Sequence, residues 1–369
     1  MIIQNKQTEI RTTNNFGLIR LAAAFMVMSG HMGILLESSV PTFFNQSIHS
    51  WGIKFFFLIG GYLITKSWMR DPSFSRFTIK RVVRIFPPLI FFVLFITFIG
   101  GPLLSTHSLG EYFSSPQTYR YLLTSFLNIQ YFLPGVFFNN YYPHAINGSL
   151  WSLPVEFCMY FIIALCFFLF RRNPKKTSYK KRVIILFLAF YILRAFQMFF
   201  FPNWHKVLYS TDIAAAIVVV PYYAIGAVFT IPEIKKTLNL PASIFFLFLF
   251  KCFFENTFFS EMILIPLVAY FIFSLAFSHS LFIPVFFAKA DISYGIYLYG
   301  FFIQQLFISL SISLGISLSS NTFLILSVLI TTALAWLSMK YIEKPTIALG
   351  QKLLNQPFFL KQKKDTLHF

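Results

Sequence analysis

The sequence is short of charge. Only 11% of its 369 residues are charged, whereas a typical soluble domain carries about 25%. Acidic residues are scarcer than basic ones, at 12 against 30, and 57% of the chain is hydrophobic. This number of charged side chains is too small to cover a core of this size with a water-facing surface. The composition therefore excludes an ordinary soluble fold and favours a membrane protein.

Cysteine is also rare. Cys158, Cys166 and Cys252 lie inside apolar runs, without a CxxC spacing and without a neighbouring histidine cluster. This arrangement predicts neither a disulfide nor a metal site. No repeat with a period of about 20 to 50 residues is present, which argues against a solenoid.

Long apolar runs are abundant. A helix needs about 20 apolar residues to cross the hydrocarbon core. The sequence therefore predicts an all-α, polytopic integral membrane protein with about ten transmembrane helices, in one domain over residues 1–345, followed by a short basic cytoplasmic tail at 346–369. The candidate runs lie at roughly 16–36, 51–69, 85–103, 150–170, 183–201, 212–230, 241–258, 261–279, 292–314 and 322–340.

The basic residues are unevenly distributed over these runs. With ten spans, 23 of the 30 lie in tails and loops of one side, including the segments 70–84 and 171–182, whereas the opposite loops hold only Arg120 and Lys206. The positive-inside rule then places both termini in the cytoplasm. The net charge of +18 is explained by this topology, and nucleic-acid binding is not needed to account for it.

The longest outer loop runs from about 104 to 149. Its segment 121–138 is nearly apolar enough to be a span, but polar residues and a proline interrupt it, so we interpret it as a short re-entrant or interfacial piece. Interfacial anchoring and sugar stacking explain the tyrosines of this loop equally well. These are Tyr112, Tyr119, Tyr121, Tyr131, Tyr141 and Tyr142.

Arg20 and His31 share the first predicted span. Eleven residues of helix place them on one face, about 16 Å apart, with Arg20 nearer the cytoplasm. A guanidinium there can hold an anion, and a neutral imidazole deep in the membrane can accept a proton from a hydroxyl. A structural arginine pair and a buried, hydrogen-bonded histidine are the alternatives.

Further charged residues mark both sides of the predicted bundle. Arg81 and Arg84 share a helical turn at the cytoplasmic surface, where they can bind phosphates, although topology and lipid headgroups explain them equally well. Glu156 follows Pro154 just inside a span that we place with its start at the outer face, so its carboxylate could orient His31 or bind an acceptor hydroxyl. Arg194 lies too deep in its span to reach the interface and needs a partner or a wet cavity.

Several motifs occur in a fixed order along the chain. They are Arg20 and His31 with ten residues between them, Phe55-Phe-Phe-Leu-Ile-Gly60-Gly61-Tyr-Leu-Ile-Thr65, Arg81-Val-Val-Arg84, Ser149-Leu-Trp151-Ser-Leu-Pro-Val-Glu156, Asp291-Ile-Ser293-Tyr294-Gly-Ile-Tyr297-Leu and Glu343-Lys344-Pro345. Together they resemble the membrane acyltransferase-3 family, whose members transfer acyl groups, commonly acetyl, to extracytoplasmic glycans. Gly60 departs from the usual serine, and Gly300 stands where many relatives have a histidine.

The resemblance implies roles for individual residues. It makes Arg20 and His31 functionally required and connects Arg81 and Arg84 with the cytosolic donor. We therefore predict His31 and Glu156 as catalytic, with His31 as general base, and Arg20, Arg81 and Arg84 as donor-binding. Trp151, Tyr294 and Arg194 are candidates for the acceptor side.

The predicted function is that of a multi-pass O-acyltransferase of the bacterial inner membrane. It would use cytosolic acetyl-CoA or another acyl-CoA as cosubstrate, with no bound cofactor or metal, and a lipid-linked or surface polysaccharide such as O-antigen or capsule as acceptor. Some relatives carry a C-terminal soluble esterase-like domain, which is not expected here, so a separate periplasmic partner could assist. The alternatives are a glycan-lipid flippase or transporter and a structural membrane protein.

Overall fold

The computed structural model describes residues 14–169, 177–278 and 291–357. The basic residues predicted for 171–176 and the second half of the predicted tail, from residue 358 onward, lie outside these ranges. Within them the chain is mostly helical, and its strands form two short antiparallel hairpins, β1–β2 (Thr42–Phe43, Gln46–Ser47) and β3–β4 (Val207–Leu208, Thr211–Asp212).

The helices follow the predicted apolar runs, each of which contains one. They are α1 (Phe16–Leu35), α2 (Ile48–Arg70), α3 (Phe74–Phe95), α4 (Gly101–Leu104), α5 (Leu109–Ser114), α6 (Pro116–Arg120), α7 (Ser152–Leu169), α8 (Thr177–Phe200), α9 (Ile213–Val228), α10 (Pro232–Lys236), α11 (Leu240–Phe253), α12 (Ser260–Ala276), α13 (Ser293–Leu314), α14 (Ser320–Ser338) and α15 (Lys344–Leu354). Turns of π-helix at Ile96–Gly100 and Met339–Glu343 join α3 to α4 and α14 to α15, and a 3₁₀ helix spans Tyr121–Phe126.

By length and composition, six helical stretches of the described chain could cross a membrane, and four apolar helices are shorter. The six are Phe16–Leu35, Ile48–Arg70, Phe74–Leu104, Tyr179–Phe200, Ser293–Leu314 and Ser320–Leu354. The chain is therefore an all-α membrane protein, as predicted. The count of ten spans and the cytoplasmic position of both termini stay predictions.

The basic segment before the third run differs from its prediction as a loop. Helix α3 begins at Phe74, so Arg76, Arg81 and Arg84 lie within it. Arg76 and Lys80 bond the Asp71 carboxylate just before the helix, at 2.9 and 2.6 Å. Burial opposes ionisation of Asp71, but these two cations hold the pKa of its carboxyl below the ordinary value. Local charge pairing thus lets the helix start in a strongly basic stretch.

Helix α2 is the centre of the bundle and packs against α1 and α9. At Gly61 a Cβ would lie 1.9 Å from the Tyr223 carbonyl oxygen, and at Gly226 it would lie 2.1 Å from the Leu58 carbonyl oxygen. The two backbones therefore approach as closely as only glycine permits, as in other closely packed membrane helices.

A segment of the predicted outer loop lies along α13. Asn140 donates to the Gln305 carbonyl at 2.9 Å, and Asn147 donates to the Leu298 carbonyl at 2.8 Å. Successive contacts thus move from the middle of α13 toward its first turns. The interpretation of 121–138 as a short re-entrant or interfacial piece stays a prediction, and it is residues 140–151 whose asparagine and serine side chains bond α13.

Candidate functional site

A cavity of about 100 Å³ lies between α2, α3, α7 and α13. Five of the eight predicted site residues line it: Arg20, Arg81, Arg84, Glu156 and Tyr294. They come from α1, α3, α7 and α13, which the sequence separates by more than 200 residues. His31, Trp151 and Arg194 are not among its lining residues.

Asp291 joins two of the arginines. One of its carboxylate oxygens lies 2.7 Å from Arg20 and 2.5 Å from Arg84, and the other accepts from the Ser293 hydroxyl at 3.0 Å. Burial opposes ionisation of this carboxyl, but the two guanidiniums hold its pKa well below the ordinary value. Arg20 and Arg84 are therefore already charge-paired before any ligand binds.

Asp291 belonged to a quoted motif but was not predicted as a site residue. The available signal was its position, since it is an acidic residue at the mouth of an apolar run in a chain with few acids. The sequence did not show which cations it would meet.

Arg81 has no carboxylate partner among the described residues. Its Nη2 donates to the Ser67 hydroxyl at 3.2 Å, and the guanidinium carbon lies 5.6 Å from the centroid of the Phe77 ring and 5.9 Å from that of Tyr160. Its Nε is buried without a hydrogen-bond partner in the described chain. A buried donor in that state favours an anionic ligand, because an unmade hydrogen bond costs about 1–3 kcal/mol.

Glu156 faces the same cavity from the first turns of α7. Its Oε1 accepts from the Tyr160 hydroxyl at 2.6 Å, and no hydrogen bond joins it to His31 in the described chain. A Cβ placed on Gly60 would lie 3.8 Å from the same oxygen, so the absence of a serine there leaves space beside the carboxylate. The carboxylate is thus positioned on the cavity rather than on the predicted base.

His31 lies on the same continuous helix as Arg20, eleven residues nearer its far end. The side chain is buried, and its ring stacks on His49 with centroids 5.5 Å apart and meets the edge of Phe301 at 5.2 Å. The predicted spacing of about 16 Å along the helix therefore applies. Arg20 and His31 occupy two levels of the bundle.

His49 is a neighbour that the sequence did not reveal. It packs directly on Gly30, where a Cβ would lie 2.6 Å from its ring. Its Nε2 lies 3.2 Å from the Ser47 hydroxyl, and its Nδ1 is buried without a partner in the described chain. The two imidazoles form a polar pair close to the β1–β2 hairpin.

The start of α7 lies against α13. The Tyr297 hydroxyl bonds the Ser152 hydroxyl at 2.8 Å and also donates to the Ser149 carbonyl. The motif thus contacts α13 one to two turns from the end that carries Asp291, and its predicted position at the outer face stays a prediction.

Two of the acceptor-side candidates have structural partners. Tyr294 donates its hydroxyl to the Ile85 carbonyl at 2.9 Å. Arg194 forms a two-pronged pair with Glu261 at 2.5 and 2.9 Å and bonds Gln197 at 2.7 Å, which supplies the partner that its depth requires. Trp151 is half-buried and packs against the apolar core.

The described residues contain no group of three or more histidine, cysteine, aspartate or glutamate side chains that could hold a metal ion. The charged groups that line the cavity are its three arginines and Glu156, and the imidazoles of His31 and His49 lie outside its lining. Guanidiniums stabilise anions, and imidazoles exchange protons.

Comparison with known proteins identifies the family of the chain. The family described as "Acyltransferase domain", acyltransferase-3, matches residues 14–340. The chain is similar to an "O-acetyl transferase" of Shigella phage Sf6, with 38% identity over 41% of this chain and 44% of that protein. It is also similar to "Nodulation protein 10" of Rhizobium leguminosarum bv. viciae, with 31% identity over 43% of this chain and 45% of that protein.

The matched region thus spans less than half the length of each of these curated relatives. No solved structure matches. The family match covers nearly all of the described residues, including every side chain that lines the cavity. The chain therefore belongs to the acyltransferase-3 family of membrane proteins.

Proposed function

We propose that this protein is an O-acyltransferase of the bacterial inner membrane, with ten spans and both termini in the cytoplasm. It moves an acetyl group from cytosolic acetyl-CoA to a hydroxyl of an extracytoplasmic polysaccharide such as O-antigen or capsule. The observation that carries the proposal is the cavity in which Arg20, Arg81 and Arg84 meet Glu156, on the helix bundle that also holds His31. The "O-acetyl transferase" name of the phage relative supports the choice of acetyl.

The donor enters at the arginine end. Arg81 offers an unpaired Nε to a phosphate of coenzyme A, because a guanidinium binds phosphate oxygens through parallel hydrogen bonds. Arg20 and Arg84 share Asp291 and so add one net positive charge at the same end. The thioester then extends past Gly60 and Glu156 toward the level of His31.

The chemical step is transfer of the acetyl carbonyl from sulfur to oxygen. His31 accepts the proton of the acceptor hydroxyl as the oxygen attacks the thioester carbonyl carbon. The new carbon–oxygen bond forms, the carbon–sulfur bond breaks, and the coenzyme A thiolate leaves and takes up the proton that His31 accepted, which restores the neutral imidazole. His49, stacked on His31, holds the imidazole in place, and Glu156 accepts a hydrogen bond from a hydroxyl of the acceptor.

The test uses the purified full chain in liposomes with acetyl-CoA labelled in the acetyl group and a panel of bacterial polysaccharides. The expected result is label on a polysaccharide, released by mild alkali as an O-ester is. A chain that moves lipid-linked glycan across the bilayer but never transfers label would contradict the proposal and favour a flippase. His31→Ala provides the inactive reference.

A further inference from the structure

A second cavity, of about 430 Å³, lies on the outer loop. Helix α3 runs from Arg81 and Arg84 toward α4, which ends at Leu104, so the loop that follows emerges at the end of the bundle opposite to Asp291. Gln117, Arg120, Gln130, Tyr131 and Phe132 are among the residues that line the cavity. Its volume is in the range of small-ligand sites, about 300–1,000 Å³.

Arg120 is the charged group of this cavity. It is the one lysine or arginine of residues 104–149, its side chain is exposed, and it has no ion pair or side-chain hydrogen bond among the described residues. The one acidic residue of that loop, Glu111, lies within the capping box of α5, where its Oε2 accepts from the backbone and hydroxyl of Ser108, both at 2.8 Å. The cavity therefore presents an uncompensated positive charge, which attracts an anionic ligand.

The remaining lining is suited to a ring that carries hydroxyls. All three hydrogen bonds of the Gln130 side chain use Nε2, to Asn128 and Ser210, so its Oε1 can accept from a ligand. The Tyr131 ring is fixed because its hydroxyl donates to the Ser210 carbonyl at 3.2 Å. Phe132 is 47% exposed and offers an apolar face. Amide acceptors beside aromatic faces match the hydroxyl edges and C–H faces of sugars.

The outer cavity is connected to the central one by backbone. Ile146 donates its amide to the Tyr131 carbonyl at 2.8 Å, and Ser152, six residues farther on, lines the central cavity. Six extended residues span at most about 20 Å. A saccharide of a few units could therefore occupy the outer cavity while one of its hydroxyls approaches the central cavity.

We propose that the outer cavity is a subsite for an acidic saccharide of the acceptor, with Arg120 pairing with a uronate carboxylate, Gln130 accepting from a hydroxyl and Phe132 covering a ring face. This inference rests on the proposed function, since it names the class of acceptor that the transferase would use. For Tyr131 it also favours sugar stacking over interfacial anchoring, the two roles that the sequence left open for the loop tyrosines, because Tyr131 lines the cavity.

The test measures binding of two probes to the purified full chain in nanodiscs, tetragalacturonate and the corresponding neutral galactose tetrasaccharide. We expect the acidic probe to bind about tenfold more tightly, because a charge-assisted hydrogen bond contributes about that factor. Arg120→Gln should abolish the difference between the probes. Lys206→Gln, which removes the other basic residue of the predicted outer loops, should retain it.

Two additional measurements sharpen the result. Phe132→Ala should weaken the binding of both probes by a similar factor. Raising the salt concentration should reduce the affinity difference in favour of the acidic probe, because exposed charges are screened. Thermal melting of each variant confirms that it is folded. Equal binding of the two probes, no binding of either, or an acidic preference that survives Arg120→Gln would each overturn the subsite.

The outcome is separable from that of the proposed function. If the wild-type chain prefers the acidic probe but never transfers labelled acetyl, the proposed transferase function is contradicted and the proposed binding site stands. If the chain acetylates the uronate probe with the same KM before and after Arg120→Gln, the proposed subsite is contradicted and the proposed transferase function stands.

Discussion

The carboxylate of Asp291 lies 2.5 Å from the guanidinium of Arg84. The same oxygen lies 2.7 Å from Arg20, so one negative charge serves two cations from helices that are far apart in the chain. The trio keeps a single net positive charge and ties α1 and α3 to the start of α13. Arg81, one turn before Arg84, is left as the cavity arginine without a carboxylate partner among the described residues.

Arg81→Ala should weaken donor binding specifically. Loss of a guanidinium that binds phosphate should raise the KM for acetyl-CoA about tenfold or more, with a smaller effect on kcat. Steady-state kinetics with labelled acetyl-CoA measure both. Arg70→Ala removes an exposed charge near the end of α2 and should leave KM unchanged; equal effects of the two variants would show that only the overall charge matters.

Asp291→Asn should change the pH dependence of stability. The pKa of Asp291 is lowered from 3.8 in the folded protein, so its ionised form stabilises the fold above the ordinary pKa, and that contribution is lost as the pH falls toward the lowered value. The wild type should therefore lose more melting temperature between about pH 5 and 3 than the variant does. If the melting temperatures of the wild type and the variant fell by the same amount over that interval, the link between Asp291 ionisation and stability would be refuted.

His31→Ala should remove acyl transfer without removing the protein. A general base contributes about 10²- to 10⁴-fold, so kcat should fall by at least about 10²-fold while the purified yield and the melting curve stay close to wild type. His205→Ala, which changes a histidine with a 71% exposed side chain, should keep full activity. Substantial activity in His31→Ala would remove the imidazole from the mechanism.

Gly60 and Gly61 should respond oppositely to alanine. A Cβ on Gly60 has only ordinary contacts, the nearest at 3.4 Å, whereas one on Gly61 would lie 1.9 Å from the Tyr223 carbonyl oxygen. Gly60→Ala should be neutral or stabilising by up to about 1 kcal/mol through helix propensity. Gly61→Ala should separate α2 from α9 and lower the melting temperature strongly or prevent accumulation; similar behaviour of both variants would exclude this close approach.

Arg194→Ala should act on stability rather than on catalysis. Removing one partner of a largely buried pair leaves Glu261 uncompensated, which typically costs about 3–5 kcal/mol. The double variant Arg194→Leu/Glu261→Leu should recover much of that loss, and activity per folded molecule should stay near wild type in both. A large rise in the KM for the acceptor with an unchanged melting temperature would instead support the acceptor role.

The sequence predicted the helices better than their ends. Apolar runs locate spans because the hydrocarbon core excludes unpaired backbone, and each run does contain a helix. Helix α3 begins earlier than its apolar run, and Asp71 bonds both Arg76 and Lys80 there and offsets one of their two charges, a pairing that a hydropathy pattern does not contain.

The site was predicted by type but not by pairing. Arg20, Arg81, Arg84, Glu156 and Tyr294 do meet around one cavity, because charged and polar groups in a bilayer turn toward one another. The bond between Glu156 and Tyr160 lies within one turn of α7, but the stacking of His31 on His49 and the pairing of Arg194 with Glu261 depend on neighbouring helices that the sequence separates. Only the packed structure brings those helices together.

The course of residues 140–151 along α13 depends on two amide side chains. Asn140 bonds the carbonyl of Gln305 and Asn147 bonds the carbonyl of Leu298, and both asparagines are buried. Because no helix or hairpin strand of the described chain holds this segment, its register against α13 rests on side-chain bonds such as these two. An apolar residue in place of either asparagine would loosen the segment from the helix without changing the helix itself.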